Sequence, residues 1–228
     1  SVDLNNAAAL AQALAQKPVA VYVESPSNPM LECVDLPALA SALRAHAGGG
    51  TGGRTIPLMV DNTFATPWAQ RPLQLGADVV LHSTTKFLNG HGSALGGCVV
   101  SRDQDWLNGP LFDQLKLLGA VPSPFDAWLL LNGIKTLDVR MERQCANAIA
   151  LAKWLSGHPA VSAVHYLGLD AHPFHQLARR QMRGFGAMLS FEVAGGLEAG
   201  IRLMDRVRVC TLATTLGTVD SLIQHPAS

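Results

Sequence analysis

The sequence predicts an α/β fold built on a mostly parallel, doubly wound sheet, and three observations predict it. Short β-branched runs at residues 19–23, 56–60, 78–81 and 96–101 alternate with stretches of helical periodicity. Those runs are almost continuously apolar, the pattern of strands buried on both faces. The composition is 48% hydrophobic and 15% charged, so the 228 residues can fill a sizeable core.

Each element follows in order. Leu4, Ala8, Leu10 and Leu14 fall at helical spacing over residues 4–16, with Asp3 as the predicted N-cap. The first strand, 19–23, ends in the turn Glu24-Ser25-Pro26-Ser27-Asn28-Pro29. Asp35 caps a helix over 36–47, and a glycine loop leads to the second strand, 56–60, which ends at Asp61. Residues 73–75 close a short helix, and the third strand, 78–81, runs into His82-Ser83-Thr84-Thr85-Lys86. Residues 96–101 form a fourth strand, and 125–155 read as helix with Gly133 the only break. The texture then changes: strands are predicted at 161–167, 187–193 and 209–215, around a helix at 197–204. A boundary near residue 146 divides a large domain, 1–146, from a smaller one, 147–228.

Composition excludes several function classes. Seventeen basic and seventeen acidic residues leave a formal net charge of zero, and without a basic stripe the chain is not expected to bind nucleic acid. No apolar run approaches the roughly 20 residues of a membrane span. Cys33, Cys98, Cys145 and Cys210 form no CxxC pair and read as reduced thiols of a cytoplasmic protein. His172 and His175 form an HxxH with no further ligand at zinc spacing, so no metal is expected. Gly48, Gly50 and Gly53 match GxGxxG, but a helix precedes them and a strand follows. That reverses the order a dinucleotide fingerprint needs and disfavours a nicotinamide enzyme. The chain starts at Ser1 in a helical pattern and stops at Ser228 after the turn Gln224-His225-Pro226, so a piece of a longer protein is expected.

The chemistry-bearing residues follow the strands. In an open parallel sheet, ligands bind beyond the carboxyl ends of the strands. Asn28, Asp61 and Lys86 lie after the first, second and third of them. A lysine near an apolar wall can lose its proton and attack a carbonyl carbon. An aspartate facing it suits a pyridinium nitrogen, and Ser83 and Thr85 offer hydroxyls to a phosphate. An imine-forming amine, an anion for a ring nitrogen and phosphate donors are together the requirements of pyridoxal 5'-phosphate (PLP).

Three segments carry a resemblance: residues 24–29, Asp61-Asn62-Thr63-Phe64-Ala65-Thr66-Pro67, and His82-Ser83-Thr84-Thr85-Lys86-Phe87-Leu88-Asn89-Gly90-His91. With 119–126, 133–137 and 216–228 they resemble the Cys/Met-metabolism family of PLP enzymes. That family includes cystathionine γ-synthase, cystathionine and methionine lyases and O-acylhomoserine sulfhydrylases. The resemblance implies the large domain of a fold-type I PLP-dependent transferase, followed by a truncated α+β C-terminal domain. It implies β/γ-elimination or γ-replacement on sulfur amino acids or activated homoserine esters, in a homo-oligomer arranged as a dimer of dimers. Residue by residue, Lys86 would carry the cofactor covalently and then move protons, and Asp61 would pair with the pyridine nitrogen. Ser83 and Thr85 would hold the phosphate, Asn28 would bond the ring's phenolic oxygen and border the substrate, and Thr63 would pack on the ring. Thr215 would lie near the substrate carboxylate. Thr214 stands where several transsulfuration members have Glu, which leans toward lyase or sulfhydrylase substrates. Residues 92–95 also differ from the common Ser-Asp version. The resemblance also implies that upstream segments contributing to the site, and a downstream arginine for the substrate carboxylate, lie outside this chain. Two alternatives stay open at this point: a PLP aminotransferase on the same fold, and a non-catalytic fragment or degraded relative.

Overall fold

The computed structural model describes residues 2–48 and 56–226. The first helix, α1 (Ala7–Leu14), is capped not by Asp3 but by Asn6, whose side chain accepts from the amides of Ala8 and Ala9. Asp3 instead accepts from the Asn5 amide. β1 (Val21–Glu24) leads to α2 (Leu36–Gly48), where Asp35 accepts from the Ala38 amide as its N-cap. Leu36, Leu39, Ala40 and Leu43 lie at i, i+3, i+4 and i+7, and all four are buried. The glycine run predicted as a loop lies outside the described residues, apart from Gly48 at the end of α2.

β2 (Leu58–Asp61), the short α3 (Thr66–Ala69) and a 3₁₀ turn at Pro72–Leu75 precede β3 (Val79–Ser83). β4 (Gly97–Ser101) completes a sheet of order β1-β2-β3-β4. β1, β2 and β3 are parallel, as expected, but β4 is antiparallel to β3. The reversal follows from the connection between them: residues 84–96 carry one wide helical turn, Thr84–Leu88, and bring Gly97 back opposite Ser83, with no crossover helix to restore direction.

Register sorts the two faces of the sheet. Val23, Val60 and Val80 are in line and buried, and they pack with Leu58 on α1 and α2. Each leucine buried there contributes roughly 1.5–3 kcal/mol of transfer free energy. Glu24, Asp61 and Leu81 are in line on the opposite face, which Ser83 shares two residues further on.

After β4 come α4 (Gln104–Trp106), a Pro110-containing turn and α5 (Phe112–Leu118), helical residues absent from the sequence reading. The predicted helix over 125–155 is two: α6 (Pro124–Lys135) and α7 (Leu137–Ser156). The break falls at Thr136, with φ −105° and ψ 5°, and not at Gly133. Gly133 stays helical and is needed for close approach: a Cβ there would come within 2.2 Å of the Asn89 carbonyl oxygen. Residue 146 lies inside α7.

β5 (Val161–His165), α8 (His175–Gln181), β6 (Ser190–Val193) and α9 (Gly196–Met204) follow, with two-residue strands β7 (Thr211–Leu212) and β8 (Leu222–Ile223). β5 and β6 form an antiparallel pair. Ala148 and Ala152 of α7 pack with Tyr166, Leu167 and Ala178 in a second core. Phe87 and Leu88 pack with Leu137 and Met141 in a third, directly behind the lysine turn.

Candidate active site

The parallel pairing of β1, β2 and β3 brings the residues that follow them to one sheet edge. Asp61 ends β2. Its carboxylate accepts from the Thr63 amide at 2.9 Å and from the Tyr22 hydroxyl at 3.2 Å. Partial desolvation of the hydroxyl, helped by the Asp61 charge and hydrogen bond, pushes Tyr22 up to about 12, so it stays protonated as a donor. The Thr63 hydroxyl accepts from the Ser83 amide at 2.8 Å, joining the ends of β2 and β3.

Beneath this edge lies a buried amide network. Gln70 donates to the Ser25 carbonyl at 2.8 Å and to the Asn62 side chain at 3.0 Å. Asn62 donates back to the Gln70 carbonyl, and Gln181 of α8 donates to the Gln70 side chain at 3.2 Å. The turns after β1 and β2 are thereby tied to each other and to α8. Fully satisfied, such a network holds a unique geometry.

Lys86 leaves the turn after β3. Thr84 and Thr85 both donate their amides to the Gly96 carbonyl, at 2.9 and 3.3 Å. The wide turn Thr84–Leu88 is broken at Lys86, whose φ of −88° and ψ of −130° are non-helical. The side chain is half-buried, and its amine donates to the Thr215 hydroxyl at 3.1 Å. Among the described residues, no carboxylate lies within ion-pair distance of it. The Thr215 segment is held close by Gly217, at φ +87°: a Cβ there would lie 2.4 Å from the Phe87 nitrogen and 2.7 Å from the Lys86 carbonyl carbon. Only glycine fits both the backbone angle and the gap.

His82 is buried with its Nδ1 unpartnered among the described residues. Burial lowers its pKa to about 4, against an opposing pull from the Asp61 charge. At neutral pH it is therefore an uncharged neighbour of the carboxylate.

The structure joins Asp61, Thr63 and Ser83 through hydrogen bonds, and Lys86 with Thr215. The hydroxyl of Thr215, the residue expected near a substrate carboxylate, accepts from the lysine amine. The Thr63 oxygen is engaged by the Ser83 backbone, and the Thr85 hydroxyl bonds both the amide and the carbonyl of Gly96. Asn28 lies exposed in the turn after β1, and among the described residues no side-chain hydrogen bond links it to Asp61 or Lys86. Sequence reasoning missed Tyr22, Gln70 and Gly217. Tyr22 had a readable signal, since alternation places it on the Glu24 and Asp61 face. His172 and His175 serve the fold: His172 meets the Met30 carbonyl, and His175 meets the Leu167 carbonyl and Asp170.

The donor set suits PLP. The half-buried amine is held by a neutral hydroxyl and not by a carboxylate. The braced Asp61 carboxylate lies on the sheet face of Ser83, whose hydroxyl is unbonded among the described residues. A lysine after β3 and a carboxylate ending the neighbouring β2, on this sheet, match what is expected of the lysine-bearing large domain of the fold-type I PLP enzymes.

Comparison with known proteins agrees. The chain superposes on cystathionine γ-synthase from Xanthomonas oryzae pv. oryzae, solved with aminoacrylate and cysteine, with a TM-score of 0.92 and 48% identity over all of this chain and 56% of that one. It is 44% identical over 233 residues to L-methionine γ-lyase from Fusobacterium nucleatum subsp. polymorphum, and 47% identical over 207 residues to O-succinylhomoserine sulfhydrylase from Pseudomonas aeruginosa. These alignments cover 100% and 91% of this chain, and it spans 56% and 49% of those relatives. The profile of the Cys/Met metabolism PLP-dependent enzymes matches residues 1–228, and the chain belongs to that family.

Proposed function

We propose that the protein carrying this chain catalyses PLP-dependent elimination or replacement at the β or γ carbon of a sulfur amino acid or an activated homoserine ester. The observation that carries this reading is the Lys86 amine, half-buried and hydrogen-bonded to a hydroxyl instead of paired with a carboxylate. Such an amine is available for covalent attachment and for proton transfer. When bound, the cofactor supplies an electron sink for negative charge at the substrate Cα. The chain's own residues do the rest. Lys86 Nζ would hold the cofactor at rest and, once the substrate's amine has displaced it, would take the Cα proton as a free amine and return it elsewhere, a role typically worth about 10²–10⁴-fold in rate. Asp61, oriented by Tyr22 and Thr63, holds the positive charge of the ring nitrogen. Ser83, with Thr85, donates to the phosphate. Thr63 packs on the ring, Asn28 donates to the phenolic oxygen and borders the substrate, and Thr215 keeps the amine in place between steps.

Thr214, exposed beside Thr215, favours lyase or sulfhydrylase substrates over cystathionine-specific ones. The division into domains at 1–146 and 147–228, and a cytoplasmic location, belong to the same proposal. So does a homo-oligomer, supported by the exposed Leu118, Phe125, Trp128 and Leu131 on α5 and α6. Among the described residues no helix is long and apolar enough to cross a membrane. The chain alone is proposed to be inactive or nearly so, because the Asp61 face of its sheet is open, with Tyr22 54% exposed.

The test is to supply the PLP-loaded protein with L-methionine, L-cystathionine, and O-acetylhomoserine plus sulfide, and to identify each product. A keto acid with ammonia, or a new thioether or thiol, supports the proposal. Amino-group transfer alone, leaving a pyridoxamine form, would reassign it as an aminotransferase. Lys86→Ala should lose both the visible colour of the attached cofactor and turnover. Full turnover by the refolded 228-residue chain would refute its proposed inactivity.

A further inference from the structure

Arg140, on α7, is 8% exposed and has no carboxylate within ion-pair distance among the described residues. A buried cation is normally matched by an anion, because desolvation without compensation is costly. Arg140 is instead satisfied by backbone carbonyls of the lysine turn and of α6 and by one hydroxyl. One terminal nitrogen donates to the Phe87 carbonyl at 2.8 Å. The other donates to the Gly133 carbonyl at 2.8 Å and, more weakly, to the Leu88 carbonyl at 3.5 Å. Nε donates to the Thr136 hydroxyl at 3.0 Å. A planar guanidinium can span these acceptors at fixed angles, which an ammonium cannot.

Phe87 and Leu88 are the two residues after Lys86, and Lys86 is where the turn leaves helical angles. On the other side, Gly217 presses on the Lys86 carbonyl carbon and Thr215 holds the amine. Lys86 is thus gripped from both directions: by the segment around residues 215–217, and by a buried guanidinium that fixes the two carbonyls beyond it. Packing alone does not call for a charge here, since Leu137 and Met141 already back Phe87 and Leu88 with apolar surface.

We propose that Arg140 is a positioning residue for Lys86, setting the direction of the amine by fixing the Phe87 and Leu88 carbonyls. The inference rests on the role proposed above for Lys86. It predicts that losing the fork lowers kcat more than it raises KM, because a displacement of about 1 Å at a reacting group can cost about 10²-fold.

The experiment compares Arg140→Lys and Arg140→Ala with the unsubstituted protein. The first readout needs no cofactor: reductive methylation by formaldehyde, followed residue by residue with mass spectrometry, gives the reactivity of Lys86 against Lys17, Lys116, Lys135 and Lys153. The second is the rate of PLP attachment at Lys86, trapped with borohydride. The third is kcat and KM, with and without added guanidinium ion. Expected are altered Lys86 reactivity with the other lysines unchanged, slower attachment, and a kcat fall of about 10–100-fold at nearly constant KM. Guanidinium should partly restore Arg140→Ala, and Arg140→Lys should not regain the unsubstituted kcat. If Arg140→Ala does not fold, Arg140→Lys gives the same readouts. Folded variants with unchanged Lys86 reactivity, attachment and kcat would overturn the inference. So would an equal loss after Arg140→Ala in a Lys86→Ala background assayed with a small primary amine replacing the lysine. If PLP never attaches to Lys86 in the unsubstituted protein, the proposed function fails, while the cofactor-free labelling still judges Arg140.

Discussion

Substituting Gly217 by alanine perturbs the lysine's support without touching the lysine. The residue sits at φ +87°, and its new Cβ would fall 2.4 Å from the Phe87 nitrogen and 2.7 Å from the Lys86 carbonyl carbon. Both neighbours are backbone, so no flexible side chain can swing away. The left-handed conformation costs a residue with a Cβ about 1–2 kcal/mol, and overpacking a tight contact adds about 1–3. The sum is about 2–5 kcal/mol. For a chain of this size each kcal/mol lowers Tm by about 2–4 °C, so a fall of about 4–20 °C is expected. Gly119 is the control: its φ is +70°, but a Cβ there would meet nothing within 4 Å, so Gly119→Ala carries only the conformational part. Thermal unfolding of both variants, read beside PLP attachment at Lys86, separates strain from displacement. Gly217→Ala should lose more stability than Gly119→Ala and should also slow attachment. Equal Tm losses with undisturbed attachment would mean that the 215–217 segment does not hold the lysine.

Two further predictions concern the base of the site. Because His82 titrates near 6.5 when unfolded and about 4 when folded, the unfolded chain takes up the proton first on acidification. Stability is therefore unaffected above about pH 7 and falls as pH drops from about 6.5 towards 4, the loss approaching roughly 3 kcal/mol. Denaturant titrations across that window should show a shallower pH slope in His82→Leu, and an unchanged slope would contradict a neutral buried imidazole. Gln70→Leu removes the donor to the Ser25 carbonyl and to Asn62, each deserted acceptor costing about 1–3 kcal/mol, while Gln181 keeps its bond to the Val34 carbonyl. Its denaturation midpoint should drop well below that of the exposed-site control Gln74→Leu; coincident midpoints would show the network to be dispensable.

Much of this was legible in the sequence, for reasons that individual residues make plain. Asp35 announces α2 because a short acidic side chain ahead of an i, i+3, i+4, i+7 apolar pattern is local information. Asp61 and Lys86 could be placed at one sheet edge because apolar, β-branched runs between helices imply parallel pairing. What escaped was mostly non-local. β4 reads as one more buried strand, and its direction depends on the course of residues 84–96. Gly133 reads as a helix break and Gly217 only as part of a resembling segment, yet both are close contacts between segments far apart in sequence. Nothing in the sequence singles out Arg140; only tertiary packing shows its guanidinium against the Phe87 and Gly133 carbonyls. The Thr85 hydroxyl also bonds the Gly96 amide and carbonyl, a contact across the β3–β4 connection that the sequence does not show.

Attachment of PLP to Lys86 is covalent and can be read directly. The protein carrying this chain should be incubated with PLP, reduced with borohydride, digested and mapped by mass spectrometry. Expected is the pyridoxyl adduct on the peptide containing Lys86, with Lys17, Lys116, Lys135 and Lys153 essentially unmodified, and loss of that adduct in Lys86→Ala. An adduct spread over the surface lysines, or one that survives Lys86→Ala, would contradict it.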